Sequence, residues 1–428
     1  MLDLASPAFL CVFLPLSALC ALLPVRGRAR TLIYLALSLG FCCLSLRRNA
    51  GSVAGAFLLL LPAAFLCRVG RRGNMLYAGL CLAALVLSRL PLPDWARPEG
   101  LSYMALQGLM LAHYYLRGGR DMGPGEGLLC VVWYPRLLSG PLQTPKDFAE
   151  ALRGRPEWSV DALSRVAVGL FKKAVLAERL RPLALCGFAE GAGPAEALLT
   201  LLCAMLYVYY DFSGWCDMGV GVSRLMGVRL PENFDAPMRA VSLSDFWRRW
   251  HRTLSRFFRD YVYIPLGGSR RGRAVTARSL AAVFLLSALF HGGAMPYVLF
   301  FAFHGALVIA ERLIKARPDG RRIAPGRRPA PGRACTLIIC FCSFTLFLAP
   351  DVPAFCAFVR AFFAGGAPMV STLAALDPVT CACVALAPVL FFLEPRLKTP
   401  PFLLPVLLAA GFLAALGGGY APFLYAGF

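Results

Sequence analysis

Apolar runs recur along the chain and are separated by short segments rich in arginine, proline and glycine. The runs cover residues 9–25, 31–46, 53–67, 75–90, 101–116, 198–210, 281–290, 298–309, 335–348, 379–393 and 403–416. Their lengths approach the roughly 20 residues that an α-helix needs to cross the hydrocarbon core of a bilayer. The pattern therefore predicts an all-α, polytopic transmembrane protein.

Three further apolar segments do not have the form of a simple crossing. Residues 128–142 are interrupted by proline and glycine, which favours a re-entrant or interfacial segment buried against protein. Residues 354–363 are predicted to form an interfacial helix. The run 166–177 carries Lys172 and Lys173, whose long side chains are predicted to snorkel to the membrane interface.

Residues 209–272 concentrate ionisable side chains among aromatic ones. These side chains are Asp211, Asp217, Glu232, Asp235, Asp245, His251 and Asp260. Ionisable groups are expensive near a bilayer, so they tend to face a cavity or a partner and to mark function. The segment is therefore the first place to look for chemistry.

A basic amphipathic helix is predicted inside this segment. Ser242 followed by Asp245 resembles a capping box, with aspartate in place of the usual glutamate. Apolar residues from Phe246 to Tyr261 recur at helical spacing beside a face of arginines, as in helices that lie in a membrane interface. A membrane anchor with no further role is the alternative interpretation of this helix.

The net charge of +21 arises from 44 lysine and arginine residues against 23 aspartate and glutamate residues. The positive charges cluster between apolar runs, as in cytoplasmic loops of membrane proteins, and residues 314–333 are predicted to form one such loop. No nucleic-acid partner is expected, because the loops lack nucleic-acid-binding motifs. Most of the 16 cysteines lie within apolar runs and none has zinc-site spacing, so neither a metal site nor a disulfide framework is expected.

Histidine is the side chain best matched to proton abstraction near neutral pH, and the chain contains four. His291 precedes two glycines, where a helix gives way and its ring has room for a substrate; a packed core histidine is the alternative. His304 is more typical of packing or hydrogen bonding, and His113 of a structural role. No G-x-S-x-G, P-loop or H-E-x-x-H sequence is present. A single-displacement transfer with histidine as the base fits these residues.

The chain resembles the membrane-bound O-acyltransferase (MBOAT) family, in the bacterial branch that includes alginate O-acetylation and teichoic-acid D-alanyl transfer proteins. The matching stretches are GLSYMALQG (100–108), WYPRLLSGPL (133–142), GLFKKAVLAERL (169–180), DFSGWCDMGVG (211–221), PENFDAP (231–237), SDFWRRWHRTLSRFFRDYVYIPLGG (244–268), HGG (291–293) and FHG (303–305). They follow one another over about half of the chain, and the long stretch is highly specific.

The resemblance implies one membrane domain over residues 1–428, with its signature region at about 100–310 and its helices arranged around a central tunnel. The family's catalytic histidine maps onto His291 and a second family histidine maps onto His251. Supporting or channel-lining roles are predicted for Asp211, Asp217, Asp245, Trp247, Trp250, Arg259, Asp260 and His304. For Asp211, Asp217 and Asp260, pairing as buried structure is the alternative.

The resemblance also implies the substrates and the location. The acyl group, taken to be acetyl, is expected to come from a thioester donor on the cytoplasmic side, acetyl-CoA or an acyl carrier protein, with no tightly bound cofactor. The expected acceptor is a hydroxyl of an exported polysaccharide or envelope glycan, reached directly or through an extracytoplasmic acetyltransferase partner. The expected location is the bacterial inner membrane, in which the protein would be a multi-pass protein. A transporter or flippase of an acylated carrier, and a lysophospholipid acyltransferase of the same family, are the alternatives.

Overall fold

The computed structural model describes residues 4–46, 55–56, 59, 70–89, 101–315, 330–364, 376–393 and 400–417. Every regular element in these ranges is a helix, and no β-strand occurs among them. The prediction of an all-α protein is therefore confirmed.

The α-helices are numbered in chain order. They are α1 (Leu14–Leu22), α2 (Gly27–Leu46), α3 (Gly70–Leu87), α4 (Leu101–Leu116), α5 (Pro124–Val132), α6 (Pro145–Leu152), α7 (Val160–Leu170), α8 (Glu178–Leu185), α9 (Pro194–Leu225), α10 (Leu243–Arg249), α11 (Arg252–Phe258), α12 (Arg273–Phe290), α13 (Met295–Lys315), α14 (Ala330–Leu348), α15 (Val352–Phe363), α16 (Pro378–Leu393) and α17 (Leu404–Leu416). Single π-helical stretches are Phe9–Phe13, Phe171–Ala177 and Arg259–Tyr263, and 3-10 turns are Tyr134–Arg136, Cys186–Phe188, Pro237–Arg239 and Pro401–Leu403.

Four helices in the described ranges are long and apolar enough to cross a membrane. They are Gly27–Ser45, Pro194–Leu225, Arg273–Phe290 and Met295–Ile314. Shorter apolar helices lie at Phe9–Leu22, Gly332–Leu348, Val352–Phe363, Pro378–Leu393 and Pro401–Leu416. These helices coincide with predicted apolar runs, so the multi-pass pattern is confirmed. Most of the run 53–67 and of the basic loop 314–333 lies outside the described residues.

One helix is much longer than its apolar run. The run 198–210 predicts a helix that ends where the polar segment begins, but α9 continues through Asp211 and Asp217 to Leu225. The helix can continue because both carboxylates have cationic partners, as described below. The polar segment thus begins inside a membrane-length helix rather than after it.

The described chain divides into two compact units, each discontinuous in sequence. Unit 1 falls within Met1–Val175, Asp211–Glu232 and Thr399–Phe428, and unit 2 within Leu176–Tyr210 and Asn233–Lys398. Helix α9 contributes its first part to unit 2 and its second part to unit 1. The interpretation of residues 1–428 as one membrane domain stays a prediction.

The broken segment predicted at residues 128–142 lies in unit 1. Helix α5 ends at Val132, and a single 3-10 turn follows it. The Arg136 Nη2 group donates to the Cys130 carbonyl oxygen at 2.5 Å, and Trp133 Nε1 donates to Ser223 Oγ at 2.8 Å. Since the protein itself satisfies these polar groups, irregular backbone is tolerated here without lipid contact.

Helices α7 and α9 meet in unit 1 at two glycines. A Cβ atom on Gly169 would lie 2.6 Å from the carbonyl oxygen of Gly214, and a Cβ atom on Gly214 would lie 2.7 Å from the carbonyl oxygen of Gly169. Real Cβ atoms do not approach backbone oxygens this closely. The absence of side chains at both positions is therefore what allows the two helix backbones to touch.

In unit 2, α12 and α13 form a helical hairpin around the turn that follows His291, and α14 packs against α13. The hairpin is closely packed at Gly305, where a Cβ atom would lie 2.9 Å from the Cβ atom of Phe284. Gly305 follows His304 in the FHG sequence, so the glycine brings this part of α13 against α12.

We expect Gly214→Ala to destabilise the protein by roughly 1–3 kcal/mol, because the added methyl group overpacks the contact with Gly169. The matched control is Gly40→Ala in α2, where a Cβ atom meets nothing within 4 Å. This control should be neutral or stabilising by up to roughly 1 kcal/mol, as expected for glycine to alanine inside a helix. Thermal unfolding in detergent micelles measures both changes, and equal stability of the two variants would contradict the close helix contact.

Candidate active site

His291 lies at the C-terminal end of α12, where the chain leaves the helix. Gly292 and Gly293 follow with φ of 106° and 71°, values that side chains rarely tolerate. The His291 Nδ1 atom lies 2.7 Å from the carbonyl oxygen of Ser287. Since a carbonyl oxygen only accepts, Nδ1 carries the proton. In the neutral ring the lone pair is then on Nε2, the nitrogen that can act as a base.

The His291 ring is packed among phenylalanines. It is 4% exposed and contacts Phe290, Phe301 and Phe347, with ring centroids 5.4, 4.7 and 5.8 Å away. The turn beside it is exposed at Gly292, Ala294 and Met295. The imidazole is thus buried in an aromatic environment directly next to an exposed turn.

His251 interrupts the helix that was predicted to continue from Phe246 to Tyr261. Its φ of 46° and ψ of 49° are left-handed, so α10 ends before it and α11 begins after it. The prediction of one continuous helix is wrong, because spacing alone does not reveal a single left-handed residue. Histidine is among the residues that adopt this conformation more often than most.

Asn233 holds His251 in this break. The Asn233 Oδ1 atom accepts from His251 Nδ1 at 3.1 Å, from the Thr253 backbone N–H at 3.3 Å and from Thr253 Oγ1 at 2.8 Å. Asn233 therefore orients the ring and also accepts from an N–H in the first turn of α11, where N–H groups have no partner within the helix. It fixes Nδ1 of His251 as the protonated nitrogen, as Ser287 does for His291.

The environment of His251 keeps its ring neutral. Burial, and secondarily the nearby His291 ring, lower the pKa of His251 well below its usual value. Both predicted catalytic histidines are buried in unit 2, and His291 is one of the charged groups that influence the pKa of His251. Each of these two imidazoles donates its Nδ1 proton, His291 to the Ser287 carbonyl and His251 to Asn233 Oδ1.

The two predicted tryptophans belong to a network of aromatic contacts that reaches His291. Trp247 contacts Phe301, which also contacts His291, with centroid distances of 5.9 and 4.7 Å. Trp250, the residue directly before His251 in the chain, contacts Phe344 with ring centroids 5.0 Å apart. The site is therefore lined by aromatic side chains, which exclude water and suit an apolar group.

His304 lies on α13 and is completely buried. Its Nε2 atom lies 2.8 Å from Ser343 Oγ, and Ser343 Oγ donates its own proton to the Cys340 carbonyl. His304 Nε2 is consequently the donor. Its ring lies 5.4 Å from that of Trp247, nearly perpendicular to it. His304 thus contacts Trp247 of the site. Its hydrogen bond to Ser343 fits the packing or hydrogen-bonding role predicted for it.

The other charged candidates in unit 2 lie on the helices flanking the break. The Asp245 backbone N–H donates to Ser242 Oγ at 3.2 Å, which confirms this half of the predicted capping box. Burial opposes ionisation of Asp245, but hydrogen bonds from Arg248, the Val241 backbone and Arg249 outweigh it and lower the pKa of its carboxyl. Asp260 accepts from its neighbour Arg259 at 2.7 Å, on the partly exposed π-helical stretch that follows α11.

Asp211 and Asp217 belong to an ion-pair network within unit 1. Asp211 pairs with Lys173 at 2.5 Å, and Asp217 pairs with Lys172 at 2.6 Å and with Arg165 at 2.7 Å. Arg165 also pairs with Glu232, so three cations face three carboxylates. The predicted snorkelling of Lys172 and Lys173 is wrong: both are buried, because each finds a carboxylate inside the protein. For both aspartates this arrangement agrees with the alternative interpretation, in which they pair with cations as part of the buried structure.

Asn233 is the site residue that the sequence interpretation did not single out, although it lies in the PENFDAP stretch quoted for the family resemblance. The available signal for Asn233 was its position between Glu232 and Asp235, in a polar stretch of a largely apolar chain. Among the described residues, no group of three or more histidine, cysteine, aspartate or glutamate side chains is placed to hold a metal ion.

The fold and the site together define a multi-pass α-helical membrane protein with a buried pair of histidines. The profile of the membrane-bound O-acyltransferase family matches residues 131–348, just over half of the chain. The chain therefore belongs to the membrane-bound O-acyltransferase family. The matched residues include both histidines, Asn233 and the ion-pair network.

Several curated relatives are named for the acylation of peptidoglycan, alginate or teichoic acid. The chain is 34% identical over 192 residues to a peptidoglycan O-acetyltransferase of Helicobacter pylori, covering 43% of this chain and 36% of the relative. It is 36% identical over 202 residues to a probable alginate O-acetylase of Pseudomonas fluorescens, covering 46% and 41%. It is 25% identical over 277 residues to a teichoic acid D-alanyltransferase of Bacillus subtilis, covering 59% and 69%. The chain thus spans about two fifths of the length of the O-acetylating relatives.

We expect Asp211→Asn to lower the free energy of unfolding by about 3–5 kcal/mol, because it leaves the buried Lys173 charge without its carboxylate. The double variant Asp211→Leu with Lys173→Met should recover most of this loss. Asp377→Asn is the control, since Asp377 and its partner Arg179 are 51% and 47% exposed and solvent screens such a pair, so that its loss should change stability little. Thermal unfolding in detergent tests this; equal losses for the Asp211 and Asp377 variants would contradict a buried pair.

We expect the stability of the protein to fall as the pH drops below about 6.5, the ordinary pKa of an unfolded histidine. The pKa of His251 is lowered in the folded state, so the unfolded state binds more protons in this range and stability rises with pH until about 6.5. The contribution approaches ~1.4 kcal/mol per pH unit.

The variant for this measurement is His251→Asn, since asparagine tolerates the left-handed backbone at this position. It should reduce the slope of unfolding temperature against pH between 5 and 7, because the contribution of His251 is lost. Gly214→Ala, which lowers stability without removing a titrating group, should keep the wild-type slope. An unchanged slope in His251→Asn would show that His251 does not titrate in this way.

Proposed function

We propose that the protein is a membrane O-acyltransferase that moves an acetyl group from a thioester donor to a hydroxyl of an exported polysaccharide or cell-envelope glycan. His291 is the general base and His251 a supporting residue on the donor side. The observation that carries the proposal is the hydrogen bond from His291 Nδ1 to the Ser287 carbonyl. It holds the ring in one orientation and makes Nε2 the basic nitrogen.

The proposed reaction needs no covalent intermediate on the protein. Nε2 of His291 takes the proton of the acceptor hydroxyl as its oxygen attacks the thioester carbonyl carbon. The new carbon–oxygen bond forms, the carbon–sulfur bond breaks, and the leaving thiolate takes the proton back from the imidazolium. The products are an ester and a free thiol. A nucleophilic side chain is unnecessary because the thioester is already activated.

The surroundings of the histidines suit this transfer. Three phenylalanine rings contact His291, and such an apolar environment disfavours water and with it hydrolysis of the thioester. The lowered pKa of His251 keeps a second imidazole neutral beside the base, so that no fixed positive charge opposes protonation of His291 in the transition state. A positioned base contributes about 10²–10⁴-fold to such a reaction, and orienting two substrates contributes further.

The names of the relatives support the class of acceptor. Two are called O-acetyltransferase or O-acetylase, acting on peptidoglycan and alginate, and a third is called teichoic acid D-alanyltransferase. We infer acetyl-CoA or an acyl carrier protein as the donor, approaching from the cytoplasm, and the bacterial inner membrane as the location. Transfer to the glycan is direct or passes through an extracytoplasmic acetyltransferase.

We expect His291→Gln to reduce acyl transfer by about 10²–10⁴-fold, because glutamine cannot accept the proton. The matched control is His113→Gln in α4, a histidine outside the site, which should keep activity within about twofold. The measurement is ester-linked acetate on the envelope glycan, quantified by mass spectrometry and normalised to the amount of membrane-inserted protein.

Two results of this experiment would overturn the proposal. Full glycan acylation by the His291→Gln variant would show that His291 is not the general base, and would favour a transporter or flippase of an acylated carrier. Loss of lipid acylation instead of glycan acylation in a deletion strain would identify a lysophospholipid acyltransferase. Both glycan and lipid fractions are therefore analysed from the same cells.

A further inference from the structure

Glu311, near the C-terminal end of α13, contacts the beginning of α10 with both of its carboxylate oxygens. Oε1 accepts the Leu243 backbone N–H at 2.8 Å, and Oε2 accepts the Ser244 backbone N–H at 3.1 Å. These are the first two residues of α10, whose N–H groups have no partner inside the helix. A carboxylate at this position also interacts favourably with the helix dipole. The contact is therefore a charge-assisted attachment of one helix to another.

A second contact joins the same two helices further along. His304 lies about two turns before Glu311 on α13, so both side chains emerge on similar faces of that helix. The His304 ring contacts Trp247 of α10, with centroids 5.4 Å apart. Two points on α13 thus hold two points on α10, which determines both the position and the direction of the shorter helix.

The orientation of α10 in turn places the supporting histidine. The helix has seven residues and ends directly before Trp250 and His251. His291 precedes α13 in the hairpin, so it moves with the helix that carries Glu311. Any shift of α10 along α13 would change the separation of the two imidazoles.

Helix α10 does not need Glu311 in order to form. Ser242 Oγ already accepts from the Asp245 N–H, and Asp245 Oδ2 accepts from the Val241 N–H. These local bonds cap the helix from within its own sequence. Loss of Glu311 would consequently leave the helix intact and release its attachment to α13.

We propose that Glu311 is a positioning residue that holds α10, and with it Trp247 and His251, in register with His291. The proposal rests on the proposed acyl transfer for its kinetic consequences, but its structural consequence is independent of the reaction. In this role Glu311 acts through the backbone of α10, which it holds at Leu243 and Ser244.

The kinetic experiment compares Glu311→Ala and Glu311→Gln in purified full-length protein, with an acetyl thioester as donor. Displacement of a site by about 1 Å can cost about 10²-fold, so kcat of Glu311→Ala should fall by about that factor. Glutamine keeps one accepting oxygen and should restore kcat to within about tenfold of wild type. KM for the donor should change by less than about threefold in both variants.

The matched control is Asp351→Ala. Asp351 also caps a helix of unit 2 with its carboxylate, accepting from the Ala354 N–H at 2.7 Å, but its helix α15 carries no site residue. This variant should lose a similar amount of thermal stability and keep wild-type kcat. If Glu311→Ala also keeps wild-type kcat per folded molecule, Glu311 has a structural role only and the proposal is wrong.

A second readout does not depend on activity. His251 is 3% exposed, so its modification by diethyl pyrocarbonate should be slow in the wild type. Glu311→Ala should accelerate it about tenfold or more, measured by peptide mass spectrometry, and Asp351→Ala should not. Unchanged His251 reactivity in Glu311→Ala would overturn the proposal even if the protein proved not to be an acyltransferase. Accelerated reactivity without any acyl transfer in the wild type would instead refute the proposed function alone.

Discussion

Burying an ionisable group among apolar helices is costly unless the protein supplies a partner or keeps the group neutral, and this constraint governs both units. Unit 1 uses the first solution. Lys172 and Lys173 are buried because Asp217 and Asp211 balance their charges. Unit 2 uses the second solution for its histidines. The pKa of His251 is lowered by burial and by His291, so the ring needs no counter-ion and can serve chemistry that begins with a neutral base.

The helices were largely predictable because apolar runs of near-membrane length have few alternatives in a bilayer. The failures were local and came from polar contacts distant in sequence. Helix α9 continues past Tyr210, and the lysine pair is buried, because residues about 40 positions apart neutralise one another. Likewise, the break at His251 depends on one amide, Asn233, from an earlier loop. Periodicity describes a helix face but contains no information about such partners.

The residues of the candidate site could be named from the sequence, but not their geometry. The family resemblance pointed to His251 and His291, and their catalytic roles stay a prediction. Their tautomers follow from hydrogen bonds to an amide and a carbonyl, which no motif specifies. Glu311 had no signal in the sequence, since a glutamate followed by arginine near the end of an apolar helix is typical of an interfacial residue. Its contact with the backbone of α10 becomes visible only when the helices are packed.

The lysine pair on the π-helical stretch also limits how helices can slide. Lys172 and Lys173 are neighbours, with Cα atoms about 3.8 Å apart, whereas their partners Asp217 and Asp211 are separated by about 9 Å along α9. The two ammonium groups must therefore diverge, one toward each end of the facing helix. Translation of α9 by one turn, about 5.4 Å, would separate both pairs at once. Each lysine side chain already reaches toward a different end of α9, so the two cannot both follow a shift in one direction. The two adjacent ion pairs therefore favour a single register of α9 against the stretch that carries the lysines.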